Sequence, residues 1–318
     1  MKHAKNFQYA PIALFLYDRP SCAIRLFDCL AKSEIFTQSS VYVFIDGPTS
    51  RSDSDRVDVV QDIVSRIQHS NLEVISAGEN KGLKKSILDG VSLVLKDHDR
   101  VIVLEDDLEF APVALEYLNR ALIKYANSES VYSVCGYLPG PGLGGRFNRA
   151  VILPYTHSWG WATWSRAWRE FEIDLSITSK YVASKVFREA FSLGGLRNYG
   201  EMLQLANLGA IDSWYIYWYF HVFRKRGVSI FPPQSYFRIR GSGGTHSNRW
   251  NPLSSILSRK VICEHLIELP DNLDVDYWVL DMLTNSFEAK IQRLSGKIGS
   301  IRRKLVLNYA AAVRQIRP

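Results

Sequence analysis

Through the first third of the chain, short unbroken apolar runs alternate with stretches of helical rhythm. Pro11 to Tyr17 is one such run, and Pro20 then stands at a favourable first helical position ahead of Ile24, Leu26, Phe27 and Leu30. Val41 to Ile45 is a second run and stops at the turn signal Asp46-Gly47-Pro48. Val57, Val60, Ile63, Val64 and Ile67 recur at three- and four-residue intervals, which predicts a helix. Leu72 to Ile75 predicts a third strand, Leu83 to Leu95 a helix and Val101 to Leu104 a fourth strand; Ala111-Pro112 opens a further helix. Alternation of this kind predicts an α/β fold, a mostly parallel sheet flanked by helices. Its central strands are covered on both faces and therefore need no polar alternation.

Length and composition narrow the class. The 318 residues suffice for one large α/β domain with extensions, or two small domains. A content of 47% hydrophobic and 22% charged residues excludes a disordered or collagen-like chain. No apolar run approaches the ~20 residues that cross a bilayer. Ala10 to Tyr17 runs into Asp18-Arg19 without a small-residue cleavage site, so it reads as a strand rather than a signal peptide. Cys22, Cys29, Cys135 and Cys263 form no CxxC pair, and so few cysteines predict reduced thiols in a cytosolic setting.

The net charge of +7 is concentrated at one end. Residues 289–318 hold eight Lys or Arg and no acid, and the remaining 31 basic residues nearly balance the 32 acidic ones. A balanced body argues against a broad nucleic-acid-binding face. In the tail, Ile291, Leu294, Ile298, Ile301, Leu305, Tyr309, Val313 and Ile316 make one apolar stripe beside the cations. A basic amphipathic helical tail of this kind suits an anionic membrane surface, a partner helix or a cover for its own domain.

Parallel sheets bind ligands beyond the carboxyl ends of their strands. Those ends carry Asp18-Arg19, Asp46 and Glu105-Asp106-Asp107. No GxGxxG follows the first strand and no GxxxxGK[ST] occurs, so dinucleotide and Walker-type sites are not expected. Three adjacent acids closing a buried strand are costly without counter-charge, and Mg2+ or Mn2+ would supply it; a solvated acidic loop is the other reading. Asp46 is either a turn residue or an acceptor for the imide N–H of a uracil or thymine ring. Arg19 suits a phosphate, a base edge or an ion pair. Lys81, Gly82, Lys84 and Lys85 open a helix, where an anion such as a nucleotide diphosphate is favoured, or where they stand simply solvated. Trp159, Trp161 and Trp164 are either core or platforms for sugar rings. His246, in Gly243-Gly244-Thr245-His246-Ser247, would contact a metal or a diphosphate, or be a surface histidine.

In order along the chain stand a strand ending in Asp-Arg, a strand ending in Asp-Gly, an Asn-x-Gly-Leu segment, and Glu105-Asp106-Asp107-Leu108-Glu109-Phe110-Ala111-Pro112. A Gly160-Trp161 turn, Asp212-Ser213-Trp214 and the late histidine turn follow. Over roughly residues 10 to 250 this resembles bacterial GT-A glycosyltransferases related to the N-acetylglucosaminyltransferase I family. The resemblance implies a GT-A sheet with a nucleotide-sugar-binding half (1–130), an acceptor-binding half (131–262) and a helical extension (263–318). It implies Asp107 as the main metal contact with Asp106 beside it, and nucleotide-sugar contacts at Asp18, Arg19, Asp46, Lys81, Gly82, Lys85, Glu105, Asp106 and His246. Gly160, Trp161 and Tyr215 would meet the acceptor. Tyr215 occupies the position where related sequences carry the presumed catalytic acid, and a tyrosine is a poor base at neutral pH. Asp212 or Glu201 is expected to take its place.

The implied activity is metal-dependent transfer, inverting rather than retaining, from a UDP-sugar to a glycan or lipid-linked acceptor. The implied setting is bacterial surface polysaccharide synthesis in the cytoplasm, with peripheral membrane contact through residues 290–317. A catalytically altered sugar- or nucleotide-binding protein of the same fold, and a sugar nucleotidyltransferase, are the alternatives.

Overall fold

The computed structural model describes residues 9–140, 142–143, 147–240 and 262–285. The first apolar run becomes β1 (Ile12–Leu16), followed by α1 (Pro20–Leu30) and a short α2 (Glu34–Gln38). β2 (Val41–Ile45), α3 (Arg51–Ser65), β3 (Leu72–Ser76), α4 (Leu83–Asp97) and β4 (Arg100–Glu105) complete the alternation. The strands beyond are β5 (Leu108–Phe110), β6 (Val131–Cys135), β7 (Val151–Leu153), β8 (Trp161–Trp164), β9 (Val228–Phe231) and β10 (Phe237–Ile239). Helix α5 (Ala114–Lys124) lies between β5 and β6, a short α6 (Ser165–Trp168) follows β8, and α10 (Tyr215–Arg224) precedes β9.

Eight strands form one sheet in the order β3-β2-β1-β4-β8-β6-β9-β7, and β5 pairs with β10 in a separate two-stranded ribbon. The pairs among β3, β2, β1 and β4 are parallel, as is β6 with β9; β8 runs antiparallel between β4 and β6, and β7 antiparallel on β9. The fold is therefore the mostly parallel, helix-flanked α/β sheet that the alternation predicts.

Strand parity divides the core between the two faces. Ile12, Leu14, Leu16, Val41, Val43, Ile45, Ile102 and Leu104 pack with Leu26 and Phe27 of α1, Val57 and Val60 of α3 and Leu115 and Leu118 of α5. Ala13, Phe15, Phe44, Val101 and Val103 point to the other face, against Ile87, Val91 and Val94 of α4, Trp214 just ahead of α10, and Trp218 and Val222 of α10. β3 is an edge strand, and Val74 on it is largely exposed.

The chain divides into two compact units, Met1–Ile173 with Ile211–Asp276, and Asp174–Ala210 with Tyr277–Pro318. The second is helical among its described residues: α7 (Leu175–Ala183), α8 (Lys185–Phe191), α9 (Tyr199–Asn207) and α11 (Tyr277–Asn285). Asp174 caps α7 by accepting from the amides of Ser176 and Ile177 at 2.8 and 3.0 Å, and Ser184 caps α8 through the amide of Phe187. Thr178 of α7 bonds Asn207 at the end of α9. All four cysteines are free and buried. No described helix is long and apolar enough to cross a membrane, and the stripe over residues 290–317 lies outside the described residues.

Candidate functional site

Parallel register brings the ends of β1, β2, β3 and β4 to one edge. After β1, the backbone turns straight into α1, with the Arg19 carbonyl accepting from the amides of Cys22 and Ala23 at 3.0 Å each. That fixes Arg19 against the residues following β4. Its Nε donates to Asp106 Oδ2 at 3.1 Å, its Nη2 donates to Asp106 Oδ1, and its Nη1 reaches Asp107 Oδ2 at 3.3 Å. The guanidinium forks over Asp106, only 4% of whose side chain is exposed, and touches Asp107, 21% exposed, more loosely.

One guanidinium faces three carboxyl groups. Burial, then repulsion from Asp107 and Asp106, pushes the Glu105 carboxyl up to about 8, with Arg19 opposing. Burial also raises Asp106, to about 6, against the pull of Arg19 and with the help of Asp107. Burial works against the Arg19 charge as well, but Asp106 and Asp107 outweigh it and hold the guanidinium above its ordinary value. Both carboxyl groups are displaced towards the neutral form chiefly because they are buried, with repulsion from their acidic neighbours adding to it.

Behind the triplet the chain is tied down by the ribbon. The Arg240 amide donates to the Asp107 carbonyl at 2.8 Å, and Glu109 pairs with Arg238 and Arg240. Arg25 of α1 donates to the Arg240 carbonyl at 2.7 Å. His246 follows six positions after Arg240 in sequence but lies outside the described residues.

Asp46 has a structural occupation. Its Oδ1 accepts from the amides of Gly47 and Lys81 at 2.9 and 2.8 Å, and its Oδ2 from Gly82 at 2.9 Å. The carboxylate clips the end of β2 to the start of α4, the turn role that the sequence also allowed. Gly82 is there for its backbone: φ is +75°, where a side chain is strained. Lys85 pairs along its own helix with Asp89 at 3.0 Å, and Lys81 is exposed. Asp18 is held by Arg56, at 3.0 and 2.6 Å from Nε and Nη2, and Arg56 also pairs with Asp53. Hydrogen bonds from Thr49, Ser50 and Tyr17, with Arg56 nearby, keep Asp53 down at about 2 despite some desolvation.

The register Val103↔Trp161 puts the residues before Trp161 at the same edge as Glu105. Trp161 itself has no exposed surface and stacks on Trp214 at 5.1 Å, beside Trp168 and Trp218. It is core, and cannot offer its ring to an acceptor. Gly160 is also explained by packing, since φ is +63° and a Cβ would stand 2.5 Å from the ring of Phe237. Trp159 is the partly exposed member of the motif, with Tyr137 at 4.4 Å and His157 at 4.9 Å. The Tyr215 hydroxyl donates to the Thr156 carbonyl at 2.6 Å, so its proton is already engaged.

Asp212 stands by the start of α4: its Oδ2 is 3.5 Å from where a Gly82 Cβ would be, and Lys84 pairs with it at 2.7 Å. It is 55% exposed and open to solvent. Lys84, one of the cations that open this helix, is thus engaged by a carboxylate. Glu201 belongs to the helical unit, on α9, with Asn198 as its partner.

Among the described residues no three His, Cys, Asp or Glu side chains converge into a ready-made metal centre. The donor set nevertheless fits a hard divalent ion. Asp106 and Asp107 supply carboxylate oxygens, the cluster has negative charge to spare, and Mg2+ or Mn2+ sites commonly combine one or two carboxylates with substrate phosphates.

No known family model matches the chain, and no curated protein does. Among solved structures, it is similar to a mannosyltransferase from Pyrobaculum calidifontis in complex with GDP-Man and Mn2+, at 11% identity over 68% of each chain and a TM-score of 0.38. It is also similar to residues 1–349 of TarS from S. aureus, at 14% identity over 55% of each chain and a TM-score of 0.35. A third likeness is to 4-diphosphocytidyl-2C-methyl-D-erythritol synthase from Anaerococcus prevotii, at 13% identity over 56% of this chain and 77% of that one, with a TM-score of 0.31.

Proposed function

We propose that the chain is a metal-dependent glycosyltransferase of the GT-A kind, moving a sugar from a UDP-sugar to a hydroxyl of a glycan or lipid-linked acceptor. The observation that supports it most is the acidic cluster after β4: buried, fixed by Arg19, short of positive charge, and placed where parallel sheets bind ligands. Asp107, with Asp106, would hold Mn2+ or Mg2+, which when bound supplies positive charge to the leaving diphosphate. Arg19 keeps the Asp106 carboxylate in one orientation. Lys81 and the start of α4 add favourable potential for a phosphate at the same edge. Asp46 acts one step back, by holding that helix start in place.

Asp212 is the group we choose as general base. It takes the proton of the acceptor hydroxyl, whose oxygen bonds to the anomeric carbon while the bond from that carbon to the diphosphate oxygen breaks. A single displacement inverts the anomeric centre. Trp159, with Tyr137 and His157, takes the platform role that buried Trp161 cannot. Contact of His246 with the diphosphate, and of residues 290–317 with the membrane that carries lipid-linked acceptors of surface polysaccharide synthesis, belong to the same proposal.

The test is turnover of a panel of nucleotide sugars with and without Mn2+. Hydrolysis or transfer should require the metal. Asp107→Ala should fall by at least roughly a hundredfold, since even an outer-shell partner of a metal ligand costs about 10- to 100-fold. Asp212→Asn should fall by roughly 100- to 10,000-fold, as a lost general base does. Undiminished activity in Asp107→Ala would refute the metal role. Metal-dependent nucleotide binding without turnover of any donor would make the chain a binding protein of the same fold.

A further inference from the structure

We infer that Arg19 is a built-in rival of the divalent ion, so that metal and nucleoside diphosphate bind this chain together and each poorly alone. The inference rests on the reading of the acidic cluster as a cation site. Three observations carry it. The guanidinium occupies both oxygens of Asp106, the more buried of the two proposed ligands, through Nε at 3.1 Å and through Nη2. It also contacts Asp107, so its positive charge lies within a few ångströms of any ion held there. Its backbone is fixed by the first turn of α1, which leaves the side chain as the part that can change partners.

A positive charge at this range in a half-buried site opposes a second cation by much more than it would in water. The contact to Asp107, at 3.3 Å, is the loose side of the arrangement. Three of the five N–H donors of an arginine are used in these bonds, so two are left to offer a phosphate oxygen without first breaking the Asp106 fork. Guanidinium suits phosphate as well as carboxylate, which makes this a place where a diphosphate satisfies both cations at once. The nucleotide lifts the repulsion by adding negative charge between the ion and Arg19. A lysine here would keep the charge but not the fork.

Binding of Mn2+ to the full chain, read from the loss of the free-ion electron paramagnetic resonance signal, tests this without any turnover. The wild-type protein should bind Mn2+ weakly alone and at least about tenfold more tightly with saturating UDP. Arg19→Gln should bind Mn2+ alone about tenfold more tightly than wild type and gain less from UDP, because the repulsion is gone. Arg19→Lys, which keeps the charge, should stay near wild type without UDP. Equal or weaker Mn2+ binding by Arg19→Gln would overturn the inference. If Arg19→Gln does not fold, the wild-type pair of titrations decides, since equal affinity with and without UDP would overturn it too. A wild-type chain that takes up no Mn2+ even with UDP defeats the cation-site reading itself, a different result from an ion that binds indifferently to Arg19.

Discussion

Two acids at strand ends on the same sheet edge, with β1 between their strands, solve the problem of a buried negative charge in different ways. Asp46 spreads its charge over three backbone amides, and Asp106 leans on one guanidinium. The first solution is purely structural, because amides cannot leave. The second leaves an imbalance that a ligand can use. Asp46→Ala should strand the amides of Gly47, Lys81 and Gly82 and cost about 3 kcal/mol of stability, on the scale of unsatisfied buried donors. Urea unfolding monitored by tryptophan fluorescence measures it; an unchanged midpoint would show that Asp46 is not the clip. Residue type showed that both acids sit at strand ends, but not this division of roles. What each carboxylate touches is set by Lys81 and Gly82, 35 and 36 positions on, and by Arg19, 87 positions back.

Among elements, α10 carries the most distinctive chemistry away from the site. His221 stacks on Trp218 at 5.6 Å, with Phe171 and Tyr132 at its edges, and its Nε2 is buried without a hydrogen-bond partner. Burial pulls its pKa down to about 4, helped by Lys225 and Arg224 of the same helix end and opposed by Glu170 after α6. The unfolded chain therefore takes up a proton on this residue near pH 6.5 that the folded chain refuses. The contribution is present above pH 6.5 and is lost as pH falls through 4, for a total of about 3 kcal/mol. Comparing pH 7 with pH 4, the wild type should lose about that much more stability than His221→Phe, which keeps the stacking ring; parallel stability curves would contradict it. β8 teaches a related lesson. Trp161, Ala162, Thr163 and Trp164 read as an aromatic cluster beside glycines, ambiguous between core and platform. The antiparallel pairing with β4 and β6, which decides for core, is a long-range event with no local signature.

At the scale of the molecule, the parallel half of the sheet was legible because each of its buried strands is a short apolar run bounded by turn residues. The carboxylate-rich edge was legible because topology alone places those turns together. The grouping of Asp174–Ala210 with the segment that starts at Tyr277 was not anticipated, since the two are separated by the strands that complete the first unit. The ribbon that ties Arg240 to Asp107 was hidden for the same reason.

The most direct test of the account is calorimetric titration of UDP into the intact protein, with and without Mn2+, for wild type and Asp107→Asn. The account predicts heat of binding only when the metal is present, and none for Asp107→Asn at an unchanged melting temperature. UDP binding that ignores Mn2+, or that survives in Asp107→Asn, would contradict it.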